Sequence, residues 1–387
     1  MAKRFLLTFL ILVVVSSFVL LFGCFGSKAV TIGVAVPLSG EDKDEGESIV
    51  NAVQLCVDEW NAQGGLFGKP IKIITKDDKE NSETALMVAS ELCKEKVSAV
   101  IGHYTSACTI AGRDKYFENR ILMITPSSTN PAITDGIYPT IFRVCGRDDA
   151  QGVTAAQYVY KAFPDAKVAL LHDESRYGKD LSDRFLSEFS SLSKSESVLY
   201  KHFDRSIADF SQIAMEIKEK GATVVYFGGL FTQGAELLKA IRKEGSTATF
   251  VSGDGCYHPL FIEKATPQAA EGSLVTFAAN PEGTPEGKAF VKKYKATFGK
   301  DPKPYSLYAY SATYVALKAM QKANTKESVA VSAVIHSETF DTPIGTLKFD
   351  KKGDPESAPW SMWKVQNGAF VPAPNPEPAV APQETMK

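Results

Sequence analysis

The chain has 387 residues, with 43 Lys and Arg against 45 Asp and Glu for a formal charge of −2, and it is 44% hydrophobic and 23% charged. At about 100–200 residues per domain this is two or more globular domains, which excludes wholesale disorder and a collagen-like chain. The near-balanced charge argues against a dedicated nucleic-acid binder, and the lack of a CxxC pair or a Cys/His ladder argues against a structural zinc module.

Met1-Ala2-Lys3-Arg4 is a short basic start, and residues 5–22 carry no charge, with only Thr8, Ser16 and Ser17 breaking the apolar run. A basic stretch, an apolar stretch and a small residue before the cut make residues 1–23 a secretory signal peptide. Leu21-Phe22-Gly23-Cys24 resembles the lipobox of bacterial lipoproteins, in which the Cys becomes the lipidated mature N-terminus, although Phe22 is bulkier than usual there. The alternative is an uncleaved anchor, because a run of this length nearly spans a bilayer. Either way the body is expected outside the cytoplasm and tethered to the membrane. Without Lys3 and Arg4, its acids outnumber its bases by four. Besides Cys24 there remain Cys56, Cys93, Cys108, Cys145 and Cys256, an odd set that permits at most two intrachain bridges. Cys56 and Cys93, on successive predicted helices, are the pair to test first; equally open is that they are small buried apolar residues.

Short β-rich runs are predicted at 31–36, 71–75, 99–101, 121–124, 168–172, 224–227, 249–252 and 274–277. Most are apolar throughout, as expected of strands covered on both faces. Amphipathic helices are predicted between them at 48–61, 82–95, 107–119, 150–162, 179–190, 209–220 and 232–244. In the first, Ile49, Val53, Cys56, Val57 and Trp60 recur at helical spacing, and Gly64-Gly65 ends it. Strand-helix alternation with short connections calls for an α/β fold of doubly wound parallel sheets. Two sheets suit the number of strands better than one. The segment 138–146 reads as a crossing between them, and 371–387 is a Pro-rich tail without apolar periodicity, expected to be disordered.

In open α/β sheets ligands bind beyond the carboxyl ends of the strands, so the residues just after each apolar run are the candidates. They include His103-Tyr104-Thr105-Ser106, Thr125 through Pro131, His172 through Gly178, Gly228-Gly229-Leu230 and Gly253-Asp254-Gly255. Ser106 precedes a predicted helix, where an N-cap and free N–H groups favour a carboxylate. Ser127, Ser128 and Thr129 offer hydroxyls, Asp254 a charge for an ammonium, and Tyr177 a flat face to close over a small molecule. Each also has an ordinary reading as a cap, a turn or a packing residue. His103 and His172 are expected to be structural, since neither has a metal partner near it in sequence.

At this point the chain resembles the type I periplasmic binding proteins that serve ABC transporters of branched-chain amino acids. The markers run from Ile32-Gly33-Val34-Ala35-Val36-Pro37-Leu38-Ser39-Gly40 through Asn61-Ala62-Gln63-Gly64-Gly65, Val100-Ile101-Gly102-His103 and Ile124-Thr125-Pro126-Ser127 to Phe142-Arg143, Tyr177-Gly178 and Tyr226-Phe227-Gly228-Gly229. The resemblance implies two Rossmann-like lobes joined by three hinge crossings, lobe 1 over 28–146 and 279–352, lobe 2 over 147–278 and 353–370. It implies an amino-acid-like ligand in the interlobe cleft, delivery to an inner-membrane ABC permease, no cofactor, no metal and no catalysis. Ser106, Ser127 and Thr129 then hold the ligand's carboxylate and amino groups, Tyr177 closes from lobe 2, and Asp254 replaces the usual Glu at the ammonium. Three departures stand out: Glu45 in place of a wall aromatic, Leu230 in place of a Tyr, and Tyr104 in place of a smaller aliphatic. Glu80 and Thr105 occupy the places of the disulfide cysteines of leucine-binding relatives. Glu45 beside the side-chain pocket points away from a purely aliphatic ligand. A ligand-sensing receptor of the same fold is the alternative. A secreted hydrolase is disfavoured by the lack of a Gly-x-Ser-x-Gly elbow or a usable Ser/His/Asp set.

Overall fold

The computed structural model describes residues 29–279 and 283–376; the expected signal peptide, Cys24 and the end of the Pro-rich tail lie outside the described residues. The first sheet is wholly parallel, in the order β2-β1-β3-β4-β5, built from β1 (Thr31–Val36), β2 (Lys72–Asp77), β3 (Ala99–Gly102), β4 (Leu122–Thr125) and β5 (Ile141–Arg143). Its crossover helices are α1 (Lys43–Ala62), α2 (Ser82–Lys94) and α3 (Ser106–Glu118). Parallel strands need such crossovers, which cover both faces, and β3 and β4 are accordingly buried at every residue.

The second sheet has α4 (Asp148–Ala162), β6 (Val168–His172), α5 (Arg176–Ser193), β7 (Leu199–His202), α6 (Ser211–Glu219), β8 (Val224–Gly228), α7 (Phe231–Lys243), β9 (Thr249–Ser252), the short helices α8 (Pro259–Ala265) and α9 (Pro267–Ala270), and β10 (Leu274–Ala278). The chain then returns to the first lobe as α10 (Pro285–Phe298), α11 (Ser306–Ala323), α12 (Ser328–Ser337) and the hairpin of β11 (Phe340–Thr342) and β12 (Gly345–Leu347), and α11 packs on α1 and β4. Finally β13 (Trp360–Gln366) and β14 (Ala369–Pro372) rejoin the second sheet antiparallel, in the order β14-β13-β10-β9-β8-β6-β7. The chain thus crosses between lobes three times, as the resemblance implies.

Several details differ from expectation. Residues 138–146 contain a strand, β5, before the crossing itself. Helix α1 starts at Lys43 rather than 48, because Asp44 and Glu45 in its first turn are favoured by the helix dipole despite their polarity. Strand β7 was unread because its faces alternate between half-buried and exposed at a sheet edge. The fold also runs past 370: Trp363 pairs with Pro372 and the N–H of Ala373 donates to Met362 O, an edge position where proline is tolerated.

Of the two open readings of Cys56 and Cys93, the bridge is the one that fails. Cys56 lies in the cluster on the face of β1 that carries Ile32, Val34 and Val36, whereas Cys93 packs on the opposite face with Ala35, Val88 and Leu92. All five described cysteines are free, four of them buried. Consequently the denatured protein should expose five reactive thiols from these positions without prior reduction. Titration with a thiol reagent checks this, and a deficit of two would restore a bridge.

Candidate functional site

A cleft between the two lobes encloses about 520 Å³ of space, part of it open to solvent. All of its lining but Tyr305 lies beyond the carboxyl ends of strands in the two sheets. From the first lobe come Glu80 after β2, Tyr104, Thr105, Ser106 and Ala107 after β3, Ser127 and Thr129 after β4, and Tyr305 just before α11. From the second come Ser175 and Tyr177 after β6, Arg205 after β7, Leu230 after β8, and Asp254 and Gly255 after β9. Seven of the nine cleft residues expected from the sequence therefore meet in one place: Tyr104, Ser106, Ser127, Thr129, Tyr177, Leu230 and Asp254.

Two do not. The Ser128 side chain turns away from the cleft, and its hydroxyl hydrogen-bonds to His103 O, Tyr104 O and the Thr109 hydroxyl, fixing the loop after β3 to the loop after β4. Glu45, in the first turn of α1, lies behind the wall. Its Oε1 accepts from the N–H of Tyr305 at 3.0 Å, and its Oε2 stands 3.5 Å from His258 Nε2 of the other lobe, where neither atom makes a hydrogen bond. The resemblance placed Glu45 beside the side-chain pocket, but folding of the acidic segment into α1 carries it one layer back from the lining. Ser106 is the first residue of α3 and Thr105 its N-cap, so Ser106 is not the cap we expected. Its hydroxyl accepts from the N–H of Asn130 at 3.3 Å. The first N–H groups of a helix have no intrahelical partner, and Thr105, Ser106 and Ala107 all border the cleft.

At the opposite wall Asp254 is buried and densely solvated by protein donors. Its Oδ1 accepts from Tyr177 Oη at 2.8 Å and Gln151 Nε2 at 2.8 Å, and its Oδ2 accepts from Tyr305 Oη of the other lobe. Tyr177 Oη in turn accepts from the N–H of Gly255 at 3.0 Å. Burial raises the Asp254 carboxyl, and the hydrogen bonds from Tyr305, Gln151 and Tyr177 pull it back down. Burial, then the nearby Asp254 charge, pushes the hydroxyls of Tyr177 and Tyr305 well up, so both stay donors. Tyr104 sets its ring edge-on to Tyr305, with centroids 6.1 Å apart.

Glu80, Arg205 and Tyr305 escaped the reading of the chain as cleft residues. Arg205 follows β7, whose alternating pattern hid the strand. Tyr305 follows no strand at all. Glu80 does follow a predicted strand, so the strand-end rule had signal enough to find it. His103 and His172 are structural, as expected: His103 lies buried between Asp78 Oδ2 at 2.7 Å and the Tyr116 hydroxyl at 3.0 Å, and His172 Nε2 meets the Tyr200 hydroxyl at 3.1 Å.

The family model of periplasmic binding proteins matches residues 29–369. The chain belongs to that family. This binding protein is 35% identical over 350 residues to Leu/Ile/Val-binding protein homolog 1 of Brucella suis, covering 89% of its own length and 93% of the relative's. It is 37% identical to an amino acid binding protein of Pseudomonas aeruginosa over 84% and 87% of the two chains. Among solved structures, the leucine binding protein of Thermotoga maritima superposes with a TM-score of 0.82 at 27% identity, over 89% of this chain and 98% of that one. A branched-chain amino acid transporter substrate binding protein of Streptococcus pneumoniae, in complex with isoleucine, superposes at 0.79 with 26% identity, over 89% and 100%. The family places the binding protein outside the cytoplasm, and no described helix is long and apolar enough to cross a membrane.

Asp148, at the start of α4 beside the first crossing, is fully buried and neither carboxylate oxygen has a hydrogen-bond partner. Burial first, then the Asp254 charge, raises its carboxyl well above the usual range. A carboxyl raised on folding binds more protons in the native than in the unfolded state, so stability falls as pH rises from the unfolded value toward the folded one. Asp148→Asn should therefore raise the melting temperature at pH 7, and the gain over wild type should shrink as pH falls toward 4. Melting curves across pH 4–8 check this; a gain that grows on acidification would contradict it.

Proposed function

We propose that this binding protein captures a free α-amino acid in the interlobe cleft and delivers it to a membrane permease of an ABC transporter. The supporting observation is the pairing of opposite chemistries across one cleft. The start of α3, with Ser106 and Thr129, offers donors suited to an α-carboxylate, Ser127 lines the same wall with its hydroxyl donated to Tyr104 O, and Asp254, held as an acceptor by Tyr177 and Tyr305, suits an α-ammonium. Because these groups come from both lobes, a ligand joining them favours closure about the three crossings. Tyr177 and Leu230 form the wall that closes from lobe 2. The body is exported and held at the membrane through a lipid on Cys24. No chemistry is done on the ligand, which is released as it was bound.

A ligand that binds only the native state raises its melting temperature, so thermal shifts with the common L-amino acids test the reading. At least one should stabilise the protein, and it should be recovered intact after incubation. Amides or polyamines acting where no amino acid does would favour the sensing alternative, and turnover of the ligand would favour an enzyme.

A further inference from the structure

We infer that the Glu80–Arg205 end of the cleft selects amino acids whose side chains end in nitrogen-bound hydrogen-bond donors over branched aliphatic ones. The inference rests on the amino-acid reading above and deepens it. Glu80 comes from lobe 1 and Arg205 from lobe 2. Both line the cleft, and Arg205 Nη1 donates to Glu80 Oε1 at 2.5 Å. Behind them stand two more carboxylates. Asp42 Oδ2 is 3.9 Å from Arg205 Nη2, and Asp173 Oδ2 is 3.7 Å from Arg205 Nε, both too long for hydrogen bonds. These two oxygens are buried and accept no hydrogen bond from any donor.

Three carboxylates thus share a single guanidinium, and the cluster holds more acceptors than donors. Burial and the neighbouring Glu80 charge raise the Asp42 carboxyl, and burial raises that of Asp173, as expected of acids short of positive partners. A ligand side chain reaching this end meets Glu80 and Arg205 directly. A methyl-ended side chain strips water from both and returns no hydrogen bond. An ammonium, guanidinium or carboxamide end supplies N–H groups to Glu80, and a site built around hydrogen-bonding groups discriminates strongly against ligands that cannot pair with them. The preference for a polar ligand that the sequence suggested through Glu45 thus passes to a different pair of residues.

Titration calorimetry of the full chain with L-arginine, L-glutamine and L-leucine tests this. Arginine or glutamine should bind at least about ten-fold tighter than leucine. Glu80→Gln should lower that ratio by at least about ten-fold, as expected when a charge-assisted hydrogen bond is lost, and Asp254→Asn should weaken all the ligands together. Arginine ahead of glutamine identifies a cationic end; glutamine ahead identifies a neutral amide. Leucine tighter than both, or a ratio unchanged in Glu80→Gln, overturns the side-chain inference and leaves the amino-acid reading standing. No binding of any amino acid overturns both.

Discussion

Asp254→Asn is expected to weaken ligand binding by about 2–5 kcal/mol, the cost of removing one partner from a buried, hydrogen-bonded charge pair. That is roughly 30-fold to 5,000-fold in Kd. The carboxylate is surrounded by donors, with Tyr177 and Gln151 on Oδ1 and Tyr305 on Oδ2. An ammonium completes that set only if both oxygens accept. Asparagine turns one of them into an NH₂ group facing a donor, and it removes the charge. The fold should survive, because burial already raises this carboxyl and the variant deletes an ion whose desolvation is costly. Calorimetry with the amino acid giving the largest thermal shift measures the change, and an unaltered Kd would contradict the assignment.

The second large effect concerns the hinge. Arg143, on β5 and completely buried, donates to Asp354 Oδ1 at 2.6 Å, Ser128 O at 2.8 Å, Asn130 O at 2.9 Å and the Thr134 hydroxyl at 2.8 Å. Asp354 Oδ2 accepts from Arg147 at 2.6 Å, so the third crossing is tied to the first through a single carboxylate. The same guanidinium fixes the carbonyls of the 127–130 loop that presents Ser127 and Thr129 to the cleft. Arg143→Met should cost about 3–5 kcal/mol, since it removes one cation of a buried ion-pair network together with its four charge-assisted hydrogen bonds. Arg143→Lys should recover only part of this, because a lysine lacks the planar fork that reaches four acceptors. A marked fall in melting temperature for the methionine variant, with a smaller one for lysine, is the expected pattern. Equal stability of all three proteins would show that the network is dispensable.

What the sequence revealed follows from how each element is buried. Strands such as β4 and β8, covered on both faces, are uninterrupted apolar runs and stand out. The residues after them, Ser127, Thr129 and Leu230, fall under the strand-end rule, and the resemblance gave them their places in the cleft. Strand β7 lies at a sheet edge with alternate residues exposed, so neither it nor Arg205 could be located from apolar runs. Glu45 and Ser128 have the right chemistry and the right neighbourhood. Their side chains were misplaced because the direction of a side chain depends on where a helix begins and on which loop partners claim a hydroxyl. Cys56 and Cys93 illustrate the same limit: adjacency along the chain says nothing about which face of a sheet each helix covers.

In the proposed clamp both charged ends of an α-amino acid are held at once, the carboxylate at the start of α3 and the ammonium at Asp254. One calorimetric series probes the two ends separately, comparing the best-binding amino acid with its N-acetyl and methyl-ester derivatives. Each derivative keeps the side chain and removes one charge. Both should lose binding by at least about 100-fold, in line with the cost of an unpaired buried charge. Retention of affinity by either derivative would contradict the claim, because one end of the proposed clamp would then be making no contribution.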